Sequence, residues 1–118
     1  MTLKKWVDGY VRAWRTNDPA DIRALFTDDA EYYTAPFRPP WRGVDAIVEG
    51  WLDRQDEPGE YSFDWEPVVD GDELGILRGV TTYPDETFSN LWVIRFAPDG
   101  RATEFTEWFM EHSRSTES

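Results

Sequence analysis

The chain has no cysteine and a single histidine, His112. The lack of cysteine removes disulfides, thiolate nucleophiles and sulfur-ligated zinc. Basic residues are also scarce: 12 Lys and Arg stand against 24 Asp and Glu, for a net charge of -12. A surface of that sign repels phosphate backbones and anionic bilayers, so neither nucleic acid nor membrane is an expected partner. No apolar run approaches the roughly 18 residues of a spanning helix. The N-terminal MTLKKWVDGY carries lysines but no apolar stretch after them, which gives no secretory leader and makes a cytoplasmic location the expectation.

What the chain has in quantity is aromatic residues: 7 Trp, 7 Phe and 5 Tyr among 118 residues. Tryptophan and tyrosine bring polar ends that need a partner or water, so this many rings point to a cavity or a large interface as well as a core. The length fits one domain, expected over residues 1–112 and followed by a polar tail at 113–118. A domain of this size buries roughly two-thirds of the surface its unfolded chain exposes.

Periodicity divides the chain in two. Leu3, Trp6, Val7, Tyr10, Val11 and Trp14 follow helical spacing and predict an amphipathic helix over 3–15, with Trp6, Tyr10 and Trp14 on one face. In NDPAD the first helix stops and a short second one starts: Asp18 suits the N-cap, Pro19 the first helical position and Asp21 the first turn, and the helix carries Ile22, Leu25 and Phe26. A first strand is expected over 30–35, ended by Pro36, Pro39 and Pro40, and Val44, Ile47, Val48 and Trp51 mark a third helix. After the turn QDEPGE the pattern becomes EYSFDWEPVV, LGILRGVTTY, TFSNLWVIRF and RATEFTEWFME, broken by DGDE, YPDE and APDG, which reads as an antiparallel meander. Helices early and strands late predict an α+β domain with three helices on one face of a curved, mainly antiparallel sheet.

The segments YVRAW, IRALFTDDAEYYTAPF and PPWRGVDAIVEGW, in that order, resemble the N-terminal half of the NTF2-like superfamily, its SnoaL-like and ketosteroid isomerase-like members in particular. LWVIRFAPDGRATEFTEWF resembles the last two strands of such proteins. The resemblance implies a cone-shaped fold with a deep apolar cavity, no cofactor, and a homodimer formed by the outer sheet faces. It also implies a hydrophobic, aromatic or polycyclic small-molecule ligand. Tyr10 falls where the isomerases carry the tyrosine that donates to the developing oxyanion. Their catalytic aspartate corresponds to Thr34 or Ala35, and their second acid to about Trp92. With neither carboxyl present, the isomerase mechanism is not expected. The epoxide hydrolase residue set is not recognisable, and His112 is the only histidine for a dehydratase-like site.

Strand alternation puts Phe105, Glu107 and Phe109 on one face of the last strand, and Asn90, Trp92, Ile94 and Phe96 on one face of the strand before it. The resemblance turns both faces inward. Glu107 is then a carboxylate between phenylalanines, placed for general acid or base work, or else it pairs with an arginine such as Arg78 or Arg95. Tyr10 and Glu107 are the candidate catalytic pair. Asn90 is a candidate donor or acceptor for a ligand carbonyl, or a turn residue. Tyr32 and Thr34 share the inward face of the first strand. Trp14, Trp51, Trp92, Phe105 and Phe109 are candidate ligand contacts from the aromatic lining, and Phe37 and Trp41 either close the mouth of the pocket or seal the core. Asp28, Asp29 and Glu31 are read as a solvated turn, not a metal site, DGDE as a hairpin turn, and Gly71, Gly75 and Gly79 form no phosphate-binding loop. The sequence leaves three functions open: a cofactor-independent enzyme, a non-catalytic binder of an apolar metabolite, or a dimeric interaction module with a filled core.

Overall fold

Helix α1, Thr2–Thr16, lays Leu3, Trp6, Val7, Tyr10 and Ala13 into the core, the face that the sequence spacing marks. These positions come from a computed structural model that describes residues 2–53, 62–84 and 86–112. The expected turn at 55–60, Asp85 of the YPDE turn and the polar tail lie outside the described residues. The helix stops at Asn17, whose left-handed φ of 52° lets its N–H reach the Ala13 carbonyl at 2.8 Å. Asp18 then caps α2, Pro19–Arg23, accepting from the Ala20 N–H at 2.9 Å, with Pro19 supplying the fixed φ of the first turn.

Strand β1 runs Phe26–Tyr33, beginning and ending earlier than the 30–35 expected from the β-branched and aromatic run. Phe26, read from the sequence as part of the second helix, is instead fully buried on the sheet and registers with Ala102, whose N–H donates to the Leu25 carbonyl at 2.8 Å. A register shift between Phe26 and Glu31 absorbs the acidic TDDA segment, whose composition disguises the strand. Thr34 and Ala35 fall beyond the strand end. The prolines that follow give way to a two-residue strand absent from the sequence reading: β2, Trp41–Arg42, pairs antiparallel with Glu31 and Tyr32. So short an edge strand has no alternation to detect. Gly43, at φ 87°, then turns the chain into α3, Val44–Asp53, which buries Val44, Ile47, Val48 and Trp51 as expected.

Strands β3 (Ser62–Asp70), β4 (Leu74–Thr82), β5 (Thr87–Phe96) and β6 (Ala102–Glu111) form the expected meander. The sheet is open and six-stranded, in the order β2-β1-β6-β5-β4-β3, with every pairing antiparallel except β1 with β6. Pro67 is tolerated because β3 is an edge strand, where a missing N–H leaves no ladder bond broken on the outer side. The inner face of the sheet and the three helices share one core that includes Phe26, Leu77, Trp92, Ile94 and Phe105. The fold is α+β, as read from the order of elements.

Candidate active site in the aromatic cavity

The rings do not fill the space between α1, α3 and the inner sheet face. A cavity of about 270 Å³ remains, lined by Tyr10, Trp14, Tyr32, Thr34, Trp41, Trp51, Thr81, Tyr83, Phe88, Asn90, Trp92, Glu107 and Phe109. Its polar wall is built from diagonal neighbours on the sheet. Trp92 sits opposite Glu107, and Asn90 opposite both Gly79 and Phe109. Thr81 and Glu107 are therefore each one inward position away from Asn90 on the flanking strands, within reach of a side-chain bond. The Thr81 hydroxyl donates to Asn90 Oδ1 at 2.7 Å. That bond fixes the amide so that Asn90 Nδ2 donates to Glu107 Oε2 at 2.8 Å, and Trp92 Nε1 donates to the same oxygen at 3.4 Å. Two N–H donors on one carboxylate oxygen suit the ionised form, which accepts and does not donate.

The helical side supplies hydroxyls. Tyr10 on α1 and Tyr32 on β1 bring their hydroxyl oxygens to 2.8 Å, one donating to the other. Burial pushes the Tyr10 phenol well above its usual range, and Tyr32, Glu107 and Tyr83 push it the same way. Tyr10 accordingly keeps its hydroxyl proton at neutral pH. Phe105 stacks beneath, 5.6 Å from the Tyr10 ring and 4.6 Å from that of Tyr32, which holds both rings upright. Trp51 donates from Nε1 to Asn17 Oδ1 at 3.2 Å, so the left-handed residue ending α1 also anchors a cavity wall. Trp41 stacks on Tyr32 at 4.9 Å and lies flat on Gly50, where a Cβ would come within 2.5 Å of the indole. Glycine is required there because the indole occupies the side-chain space.

Of the residues singled out in the sequence, Tyr10, Trp14, Tyr32, Thr34, Trp41, Trp51, Asn90, Trp92, Glu107 and Phe109 meet at this cavity. Two do not. Phe105 is fully buried behind the wall and acts as support. Phe37 is 80% exposed with the Arg38 guanidinium 5.6 Å from its ring centroid, because a turn closed by Arg38 N–H on the Ala35 carbonyl carries it outward. Phe37 therefore neither lines the cavity nor seals the core. The rim is made instead by Tyr83, Phe88 and Phe109, with Phe88 in edge contact with both other rings. Arg78, one of the arginines considered for Glu107, pairs with Glu66, and Arg95 stands opposite Glu104 in the sheet register. His112 is bonded to Ser89 at 2.8 Å on an exposed part of the sheet.

Sequence reasoning missed Thr81, Tyr83 and Phe88. The first was available from parity, since Leu77, Gly79 and Thr81 share one face of β4, and Phe88 from the same alternation two residues before Asn90. Tyr83 lies past the strand end, where no periodicity speaks. Among the described residues no group of His, Asp and Glu is arranged to hold a metal ion. No described helix is long and apolar enough to cross a membrane.

A helix-covered, six-stranded sheet with a cavity on its inner face defines an NTF2-like α+β domain. The chain belongs to the SnoaL-like domain family, which it matches over residues 7–109. No curated protein matches it in sequence. It is similar to the solved structure of an NTF-2 like protein of unknown function from Burkholderia xenovorans, at 13% identity and TM-score 0.76, with 97% of this chain and 87% of that one covered. It is also similar to a steroid delta-isomerase from Pseudomonas aeruginosa, at 14% identity and TM-score 0.67, covering 92% and 80%. An LEH-like epoxide hydrolase from M. tuberculosis aligns at 20% identity and TM-score 0.61, covering 90% and 80%. Likeness at these identities is likeness of fold.

Proposed function

We propose that this protein binds a hydrophobic small molecule in the aromatic cavity and acts on it without a cofactor. Glu107 takes a proton, and the Tyr10–Tyr32 hydroxyl pair holds a ligand oxygen on which charge develops. The observation that carries the reading is one carboxylate, oriented by Asn90 and Trp92, in a cavity walled mainly by rings. The chemistry is not that of the ketosteroid isomerases, whose acids correspond here to Thr34 or Ala35 and to Trp92. A carboxyl reaches the cavity from β6 instead, on the strand next to Trp92 and opposite it in register.

The test is a thermal-shift and tryptophan-fluorescence screen of small aromatic compounds, followed by product analysis for each hit. A ligand present at 100 times its Kd should raise stability by about 2.7 kcal/mol, which corresponds to a Tm increase on the order of 10 °C. Binding without product would favour the non-catalytic reading, and a cavity that answers to no compound would sink both.

The same reading includes a homodimer through the outer sheet face. Val80, Leu91, Trp108 and Met110 are exposed there, and Leu91 registers between Arg78 and Trp108. An apolar centre bordered by charges of both signs suits pairing with its own copy around a two-fold axis. Sedimentation should give twice the 13.8 kDa of one chain, reduced to the single mass by Trp108→Lys. A wild-type chain that sediments as the monomer at tens of micromolar would rule the dimer out.

A further inference from the structure

We infer that the cavity selects a small organic cation, an ammonium group on an apolar body, with Glu107 as its counter-ion and the aromatic rings as its walls. This rests on the cavity being a ligand site, as proposed above, and adds the charge of the ligand. The lining contains nine aromatic side chains and one carboxylate, and no Lys, Arg or His among the described residues. Aromatic faces carry the negative part of the ring quadrupole and attract a cation within about 6 Å of the centroid. Trp14, Trp41, Trp51 and Trp92 come from α1, β2, α3 and β5, so an ammonium entering the cavity meets indoles from both the helical and the sheet side.

Electrostatics point the same way. Of the neighbours that push the Tyr10 phenol upward, Glu107 is the carboxylate, and it places negative charge within the cavity that holds the Tyr10 hydroxyl. The whole chain adds a net charge of -12, which draws cations and slows anions on approach. Asn90 and Trp92, which donate to Glu107, are both neutral side chains that orient the carboxylate. A neutral ligand closing over Glu107 strips its water and returns no charge, an anion adds repulsion, and a cation offsets the loss. An alcohol or carbonyl oxygen on the same molecule has the Tyr10–Tyr32 pair to meet.

The test compares three probes of one shape by tryptophan fluorescence titration of the wild-type protein: choline, its uncharged carbon isostere neohexanol, and the anion tert-butylacetate. Choline should bind at least about tenfold tighter than neohexanol, and the anion weakest of all. Glu107→Gln should remove most of that preference, and Trp41→Leu, which keeps an apolar side chain but removes one indole from the wall, should weaken choline more than neohexanol. Neohexanol binding as tightly as choline, or no saturable response to choline, overturns the inference. If aromatic compounds still shift the Tm in that event, the cavity stands as a ligand site and only the cation is lost.

Discussion

Replacing Glu107 by glutamine is expected to lower turnover of a substrate accepted by the cavity by roughly 100- to 10,000-fold, the usual contribution of a positioned acid or base. The substitution isolates basicity from shape. Glutamine has nearly the same size, and its amide oxygen can still accept from Asn90 Nδ2 and Trp92 Nε1, now at 2.8 Å and 3.4 Å from the carboxylate oxygen. The fold and the polar wall therefore survive, and what disappears is the ability to hold a proton. Measured as kcat and KM, the loss should fall mainly on kcat for a neutral substrate, because the carboxylate then acts in the transition state more than in binding. A kcat left within a few-fold of wild type would remove Glu107 from the chemistry and leave it as part of the wall.

Trp92→Ala is expected to destabilise the domain by about 3–5 kcal/mol, the range for truncating a buried large ring. Trp92 is 1% exposed and packs 4.5 Å from Tyr10, 4.9 Å from Phe63 and 5.2 Å from Phe105, centroid to centroid. Removing it takes the common neighbour from a ring cluster that joins α1 to the sheet, and it also takes one donor from Glu107. The loss is a large part of the roughly 5–15 kcal/mol that holds a domain together. Urea denaturation checks the figure: the midpoint should fall with little change in slope. Trp92→Phe, which keeps a ring and loses the N–H, should cost markedly less. A loss below about 1 kcal/mol for Trp92→Ala would mean that the cavity wall collapses to refill the space, and that Trp92 is not its keystone.

The architecture was legible because its signals are local. Helical spacing in α1 and α3, the Asp18–Pro19 restart and the turn clusters between β3, β4, β5 and β6 depend on neighbours a few residues apart. The strand β1 was misplaced for the same reason: its first half is held by a distant partner, Ala102, and by nothing in its own TDDA composition. The edge strand β2 exists only through pairing with Glu31 and Tyr32. Phe37 and Phe105 show the limit from the other side. Both are aromatic residues beside a cavity segment, and chain position alone does not tell a ring turned outward by a backbone turn from one buried behind the wall.

The sequence by itself determined the α+β class and which residues of β5 and of β6 share a face, because composition, element order and period-2 alternation decide these without knowing the neighbours; the inward direction of those faces and the missing isomerase carboxyls came from the family resemblance. The alternation also determined that Glu107 shares a face with Phe105 and Phe109. Only the tertiary structure decided that Asn90, oriented by Thr81, and Trp92 converge on that carboxylate and that Tyr10 meets Tyr32. Those contacts are diagonal and directly opposed pairs between strands, and a bridge from helix to sheet. They depend on register and on the way the helices sit over the sheet, and both are set by many distant residues at once.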